Sequence, residues 1–257
     1  MSKKSPAFVI FKFTFLEAVR SRLFYVLLIL AALVMGLIAI ISSFSFGVHV
    51  KFLKDFSYTL VSMAGLFLTL FVSFDKIINE LEETTIYSIL SKPVTHFDFI
   101  LGKFMATLAI VIINVVVLGF MVLLVLYTFS KQLDYFLFLG IFFLILKLCI
   151  LTSMVFLISL ATTKALTLPL ALFIYLFGHV SVFIKEKLFV AFGGWATTLV
   201  NLSDYIFPNF LYFDVEGNII HNYTIPPSYI LLLLLYTLAY TCFFLVLTHF
   251  LLKKRDL

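Results

Sequence analysis

Phe104-Met-Ala-Thr-Leu-Ala-Ile-Val-Ile-Ile-Asn-Val-Val-Val-Leu-Gly-Phe-Met-Val-Leu-Leu-Val-Leu-Tyr-Thr128 runs without a single charged side chain. At 1.5 Å of rise per helical residue, such a run crosses the roughly 30 Å hydrocarbon core of a bilayer. Its apolar residues are continuous rather than alternating. The backbone is therefore expected to close its hydrogen bonds within a helix and not in a barrel with a dyad repeat. Five more runs qualify, at 23–42, 57–74, 135–160, 166–184 and 229–252, interrupted deeply by one charge, Lys147. The expected fold is an all-α integral membrane protein with six transmembrane helices, a single domain over residues 1–257.

Composition agrees. The chain is 63% hydrophobic and 12% charged, with 33 Phe, against about 45–50% and 25% in soluble domains. Its mean hydropathy is +1.19. Too few polar groups remain to cover a water-soluble globule. Cys149 and Cys242 fall inside predicted spans with no partner at metal or redox spacing and read as small core residues. Lys12, Glu17, Arg20 and Arg22 interrupt the first segment, so no cleaved signal peptide is expected.

Once the spans are drawn, twelve Lys and Arg residues fall on one side and five on the other. The richer side is expected to be cytoplasmic, which places both termini there in a multi-pass cell-membrane protein. The net charge of +5 then reflects topology and anionic lipid. No basic patch interleaved with stacking aromatics points to nucleic acid.

Residues 6–22 project as an amphipathic interfacial helix, with Thr14, Glu17, Arg20 and Ser21 on one arc and Phe8, Phe11, Phe15, Leu16, Ala18 and Val19 on the other. Two connections are longer than turns need: residues 75–103, cytoplasmic, and 185–228, external. Long connections that lack a disordered composition are where function is expected.

In the cytoplasmic connection, Thr84 or Thr85 can cap a short helix over 86–91, which Pro93 ends. Thr95 and Asp98 form a capping-box-like start for the next helix, which continues through Gly102. The short helix would expose Glu82, Glu83, Tyr87 and Lys92 beside an apolar face of Ile86, Ile89 and Leu90. That surface suits docking to another protein; a solvated interfacial turn is the plainer reading.

The stretch Glu82-Glu-Thr-Thr-Ile-Tyr-Ser-Ile-Leu-Ser-Lys-Pro-Val94 followed by Phe99-Ile-Leu-Gly-Lys103 resembles the cytoplasmic signature of type-2 ATP-binding-cassette permeases. Ser203-Asp-Tyr-Ile-Phe-Pro-Asn-Phe-Leu-Tyr-Phe-Asp214 is similar to that family's segment before the last span. Phe15 to Tyr25 resembles its entry helix and Phe250 to Leu257 its basic ending. The subgroup containing permeases for copper-enzyme maturation is the nearest likeness. The chain departs from the pattern at Thr84, where Gly is frequent, and at His96, where Arg is common.

The resemblance implies a dimer of permease units driven by two cytosolic ATPase subunits, which carry the ATP and Mg²⁺; no cofactor is implied on this chain. Glu82, Glu83, Thr85, Ile86, Tyr87, Ile89, Leu90, Lys92 and Pro93 would form the ATPase-coupling helix and its flanks.

Enzyme chemistry has no footing in the sequence: there is no HExxH, GxSxG or Walker A loop, and the five His and six Met residues are scattered. No Asp or Glu lies inside a span to serve as an ion relay. Lys147, about midway along span four, needs a partner, for which Asn114, backbone carbonyls, water or an anionic substrate are candidates. It would face the translocation path or a dimer interface; snorkelling outward is the alternative. Gly178 and His179 are expected to loosen span five. Gly193, Gly194 and Trp195 fit a re-entrant or interfacial external helix, which by resemblance would be the external gate. A secondary carrier or channel, or a non-transporting membrane scaffold, remain the rival readings.

Overall fold

The computed structural model describes residues 6–20, 49–82, 95–131, 135–192, 207–215 and 225–255, with single helical positions between 25 and 40 and at 217. All regular structure among them is helical: α1 (Pro6–Val19), α2 (His49–Glu82), α3 (His96–Ser130), α4 (Tyr135–Ala161), α5 (Lys164–Phe192) and α6 (Pro227–Arg255), plus a 3-10 turn at Phe210–Phe213. Four helices are long and apolar enough to cross a membrane, over Leu53–Ile77, His96–Thr128, Phe136–Ala161 and Pro227–Lys254, with a shorter apolar stretch, Lys164–Val180, in α5. The predicted span at 23–42 lies mostly outside the described residues.

The helices overrun the apolar runs that announce them. α2 begins at His49 and ends at Glu82, well beyond 57–74 on both sides. α5 passes the expected boundary of span five and continues to Phe192. Charged residues at a span end have helix propensity as good as apolar ones, so the helix outlives its hydropathy signal.

Capping sets the links. The Thr95 hydroxyl accepts from the Asp98 N–H at 3.1 Å and donates to the Asp98 carboxylate at 2.7 Å, starting α3 as its sequence predicts. α3 stops at Lys131, which takes a left-handed φ of 53° while its N–H reaches the Tyr127 carbonyl. Only residues 131–134 then separate α3 from α4, which makes the two antiparallel neighbours.

α4 is the central helix, touching α2, α3, α5 and α6. Its apolar stretch is 67% buried, against 28% for that of α6, which lies on the periphery. Lipid is as apolar as Leu, so close packing rather than the hydrophobic effect holds such helices together. A Cβ at Gly65 would stand 2.8 Å from Leu148 Cδ1 and 3.2 Å from Val115 Cγ2, so α2, α3 and α4 converge there. Buried hydroxyls of Thr69, Thr152, Ser159, Thr237 and Thr248 donate to carbonyls four residues back, satisfying themselves without leaving their helix.

α1 rises along α3 in the same direction. Ala7 and Ile10 pack on Gly102, and Ala18 clusters with Ile110. Thr14, expected on the polar arc, is buried with Ala18, whereas Phe8, Phe13 and Leu16 face outward. Small residues let two helices approach, and this requirement outranks the polar arc in choosing the packed face.

Candidate functional site

The base of the connection at residues 83–94 is built from four charged residues, Glu17, Asp75, Lys76 and Lys103, on three helices. Lys103 Nζ donates to the Lys76 carbonyl oxygen at 2.7 Å and lies 5.3 Å from the centre of the Phe99 ring. Lys76 Nζ pairs with Glu17 Oε1 at 2.7 Å and with Asp75 Oδ2 at 3.3 Å. Both lysines are buried. Ile77, Phe99, Ile100, Phe104, Phe156 and Leu252 form a buried apolar cluster that includes the lysines' chain neighbours Ile77 and Phe104. α1, α2 and α3 are thus tied together where the chain enters and leaves residues 83–94. His249 of α6 packs edge-on against His96 and Phe97 at the same end.

Glu82 is the last residue of α2. Glu83, Thr85, Ile86, Tyr87, Ile89, Leu90, Lys92 and Pro93 lie outside the described residues, as do Gly193, Gly194 and Trp195. Sequence reasoning missed the tie itself. It counted Lys76 and Lys103 among the twelve Lys and Arg of the richer side, and the one signal was their position within a helical turn or two of apolar runs.

Midway along α4, Lys147 is 5% exposed, and its ammonium lies 5.3 Å from the centre of the Tyr175 ring on α5. It is enclosed by the bundle rather than snorkelling. An aromatic face attracts a cation most where water is excluded, a partner that a search for carboxylates overlooks. Tyr175 also stacks on His179, with centroids 6.0 Å apart, and tilts against Phe210 at 5.1 Å. His179 Nε2 stands 3.5 Å from Asp214 Oδ2.

Phe210 and Asp214 belong to segment 207–215, which wedges between α4, α5 and α6. Asn209 starts its 3-10 turn by accepting from the Leu211 N–H at 3.0 Å, and the Asn209 N–H donates to the Tyr236 hydroxyl at 2.8 Å. Tyr229 donates to the Tyr212 carbonyl at 2.7 Å. Phe210, Phe213 and Val215 are buried. Gly178 makes room for the segment, since a Cβ there would be 2.4 Å from the Pro208 carbonyl oxygen. α5 is continuous through Gly178 and His179, so these residues seat a neighbour rather than loosen their helix. Pro169, inside α5 near its start, costs few backbone bonds there.

Asn114, on α3, is 1% exposed, and its Nδ2 has no hydrogen-bond partner among the described residues. Its neighbour Val115 and the Lys147 neighbour Leu148 flank Gly65, so both residues sit at one level of the bundle, while the Lys147 ammonium turns to α5.

A membrane-embedded helical bundle with a tied loop base agrees with the comparison with protein families, in which the model of the ABC-2 family transporter proteins matches residues 8–257. The chain belongs to the ABC-2 transporter family. No curated protein matches it. As an ABC-2 chain it is a permease subunit of a membrane transporter, a transport component rather than a catalyst, with several apolar spans in a membrane.

Proposed function

We propose that this ABC-2 permease dimerises with a second permease copy to form a translocation path, driven by separate cytosolic ATP-binding-cassette ATPase subunits that hold the ATP and Mg²⁺. Both termini and residues 75–103 are cytoplasmic in this reading, which the excess of Lys and Arg on that side supports. The ATPase grips Glu82 to Pro93, and its movement passes into α2 and α3. Asn114, Lys147 and His179 belong to the path or dimer side, and Gly193, Gly194 and Trp195 to the external gate.

The observation that carries this reading is the tie at the loop base. A loop that merely connected two spans would need no buried lysine bonded to the facing helix. The Lys103 bond to the Lys76 carbonyl and the Lys76–Glu17 pair make the roots of residues 83–94 one unit with α1, so a push on the loop moves three helices together. A photocrosslinker at Tyr87 in living cells tests the reading. It is expected to trap a nucleotide-hydrolysing protein that also co-purifies with the chain, and recovery of the chain with no such protein rejects it.

A further inference from the structure

Four residues form a chain of contacts from the bundle core to the far end: Lys147, Tyr175, His179 and Asp214. Tyr175 is the hub of the chain, and His179 makes its link to Asp214. Tyr175 carries the ammonium of Lys147 on one side, the imidazole of His179 by stacking, and the Phe210 ring of segment 207–215. Residues 175, 178 and 179 are three and four apart and so share one face of the helix. On that face Gly178 receives the Pro208 carbonyl and His179 receives Asp214. The seat of the segment is therefore moulded by a single strip of α5, whose deepest aromatic is held by a buried cation on α4.

We propose that Tyr175 is a positioning residue through which Lys147 latches segment 207–215 in its seat. The ammonium fixes the ring, the ring fixes Phe210 and His179, and His179 clasps Asp214. Movement of Lys147 off the ring frees the segment, which is the moving part at the far end of the path. This meaning rests on the permease reading, whereas the latch itself is a property of the chain alone.

The test uses the full chain in its membrane, with Cys149 and Cys242 replaced by alanine and Val215→Cys as reporter. A membrane-impermeant maleimide is added to both faces. Val215 is 3% exposed, so the reporter is expected to react slowly. Lys147→Met, which removes the buried charge and keeps a long unbranched side chain, is expected to speed labelling about thirtyfold, the scale of a desolvated cation–π contact. Lys147→Arg keeps the cation over the ring and is expected to restore slow labelling. A second reporter, Leu68→Cys, buried on α2, is expected to stay protected throughout.

An unchanged rate in Lys147→Met overturns the latch. Fast labelling in Lys147→Arg, or loss of protection at Leu68→Cys, does so as well, the last because the loosening is then global. The assay needs neither nucleotide nor partner. The absence of an ATPase would sink the driven-permease reading and leave these labelling rates interpretable.

Discussion

Lys103 reaches across 2.7 Å to the main-chain carbonyl of Lys76, a residue 27 positions earlier on the facing helix. A carbonyl oxygen has two lone pairs, so it can serve its own helix and the ammonium together. Charge-assisted bonds of this kind are about twice as strong as neutral ones, and burial strengthens them further. Sliding of α2 past α3 would break the bond, so the two roots of residues 83–94 move as one.

The Glu17–Lys76 pair extends that unit to α1. The Glu17 side chain is 64% exposed, so screening limits the pair to about 1 kcal/mol or less. A double-mutant cycle with Glu17→Gln and Lys76→Met, read by thermal unfolding in detergent, is expected to give a coupling energy of that size which shrinks in high salt. Stimulated ATPase activity should fall more than stability does. A coupling energy of zero would mean that α1 is not fastened to the loop base.

Glycines separate close backbone approach from mere crowding. A Cβ at Gly102 would be 2.7 Å from the Ala7 carbonyl oxygen, and one at Gly178 2.4 Å from that of Pro208. At Gly119 the obstacle is the tip of the Ile141 side chain, at 2.4 Å, which can rotate away. Gly102→Ala and Gly178→Ala are expected to destabilise by about 1–3 kcal/mol. Gly119→Ala should be within about 1 kcal/mol of neutral, because helix propensity offsets the strain. Thermal unfolding of the three variants decides, and equal losses at all three would refute the distinction.

What was legible in the sequence follows from what is local. Continuous apolar runs announced the helices, and the Thr95 and Asp98 spacing announced the start of α3, since both signals act within one or two turns. The ties were illegible because they join residues 59 and 27 positions apart. A charge count treats every lysine at a span end as solvated, and nothing in the spacing of Lys76 or Lys103 marks them as buried. Lys147 was recognisable as a charge in need of a partner, but its aromatic partner Tyr175 depends on how α4 and α5 pack. Thr14 was misplaced for a related reason: the polar arc of α1 says nothing about which face has the small residues that α3 requires.

The loop between α2 and α3 gives the most direct test of coupling. If the proposed coupling holds, charge reversal at Glu82 and Glu83 should remove electrostatic contacts with the ATPase, and Ile89→Pro should break the short helix that the sequence leads one to expect over 86–91, at a cost of about 3 kcal/mol. Both are expected to abolish stimulated ATPase activity while membrane insertion, followed by fractionation, stays normal. Preserved stimulation would move the coupling surface elsewhere.

Lys147 sets stability against function. A lysine at a helix centre costs roughly 2.5–3.5 kcal/mol on insertion scales, and the ring of Tyr175 returns about 2 kcal/mol of this when water is excluded. Lys147→Leu removes both terms, so its thermal unfolding temperature should stay level or rise slightly. Transport should fall at least about tenfold, since a residue kept against its own cost is expected to serve the path rather than the fold. Reconstituted vesicles with the partner ATPase give the transport rate, and calorimetry gives the stability. If both fall together, Lys147 is a structural post. If transport is unchanged, the charge has no part in translocation.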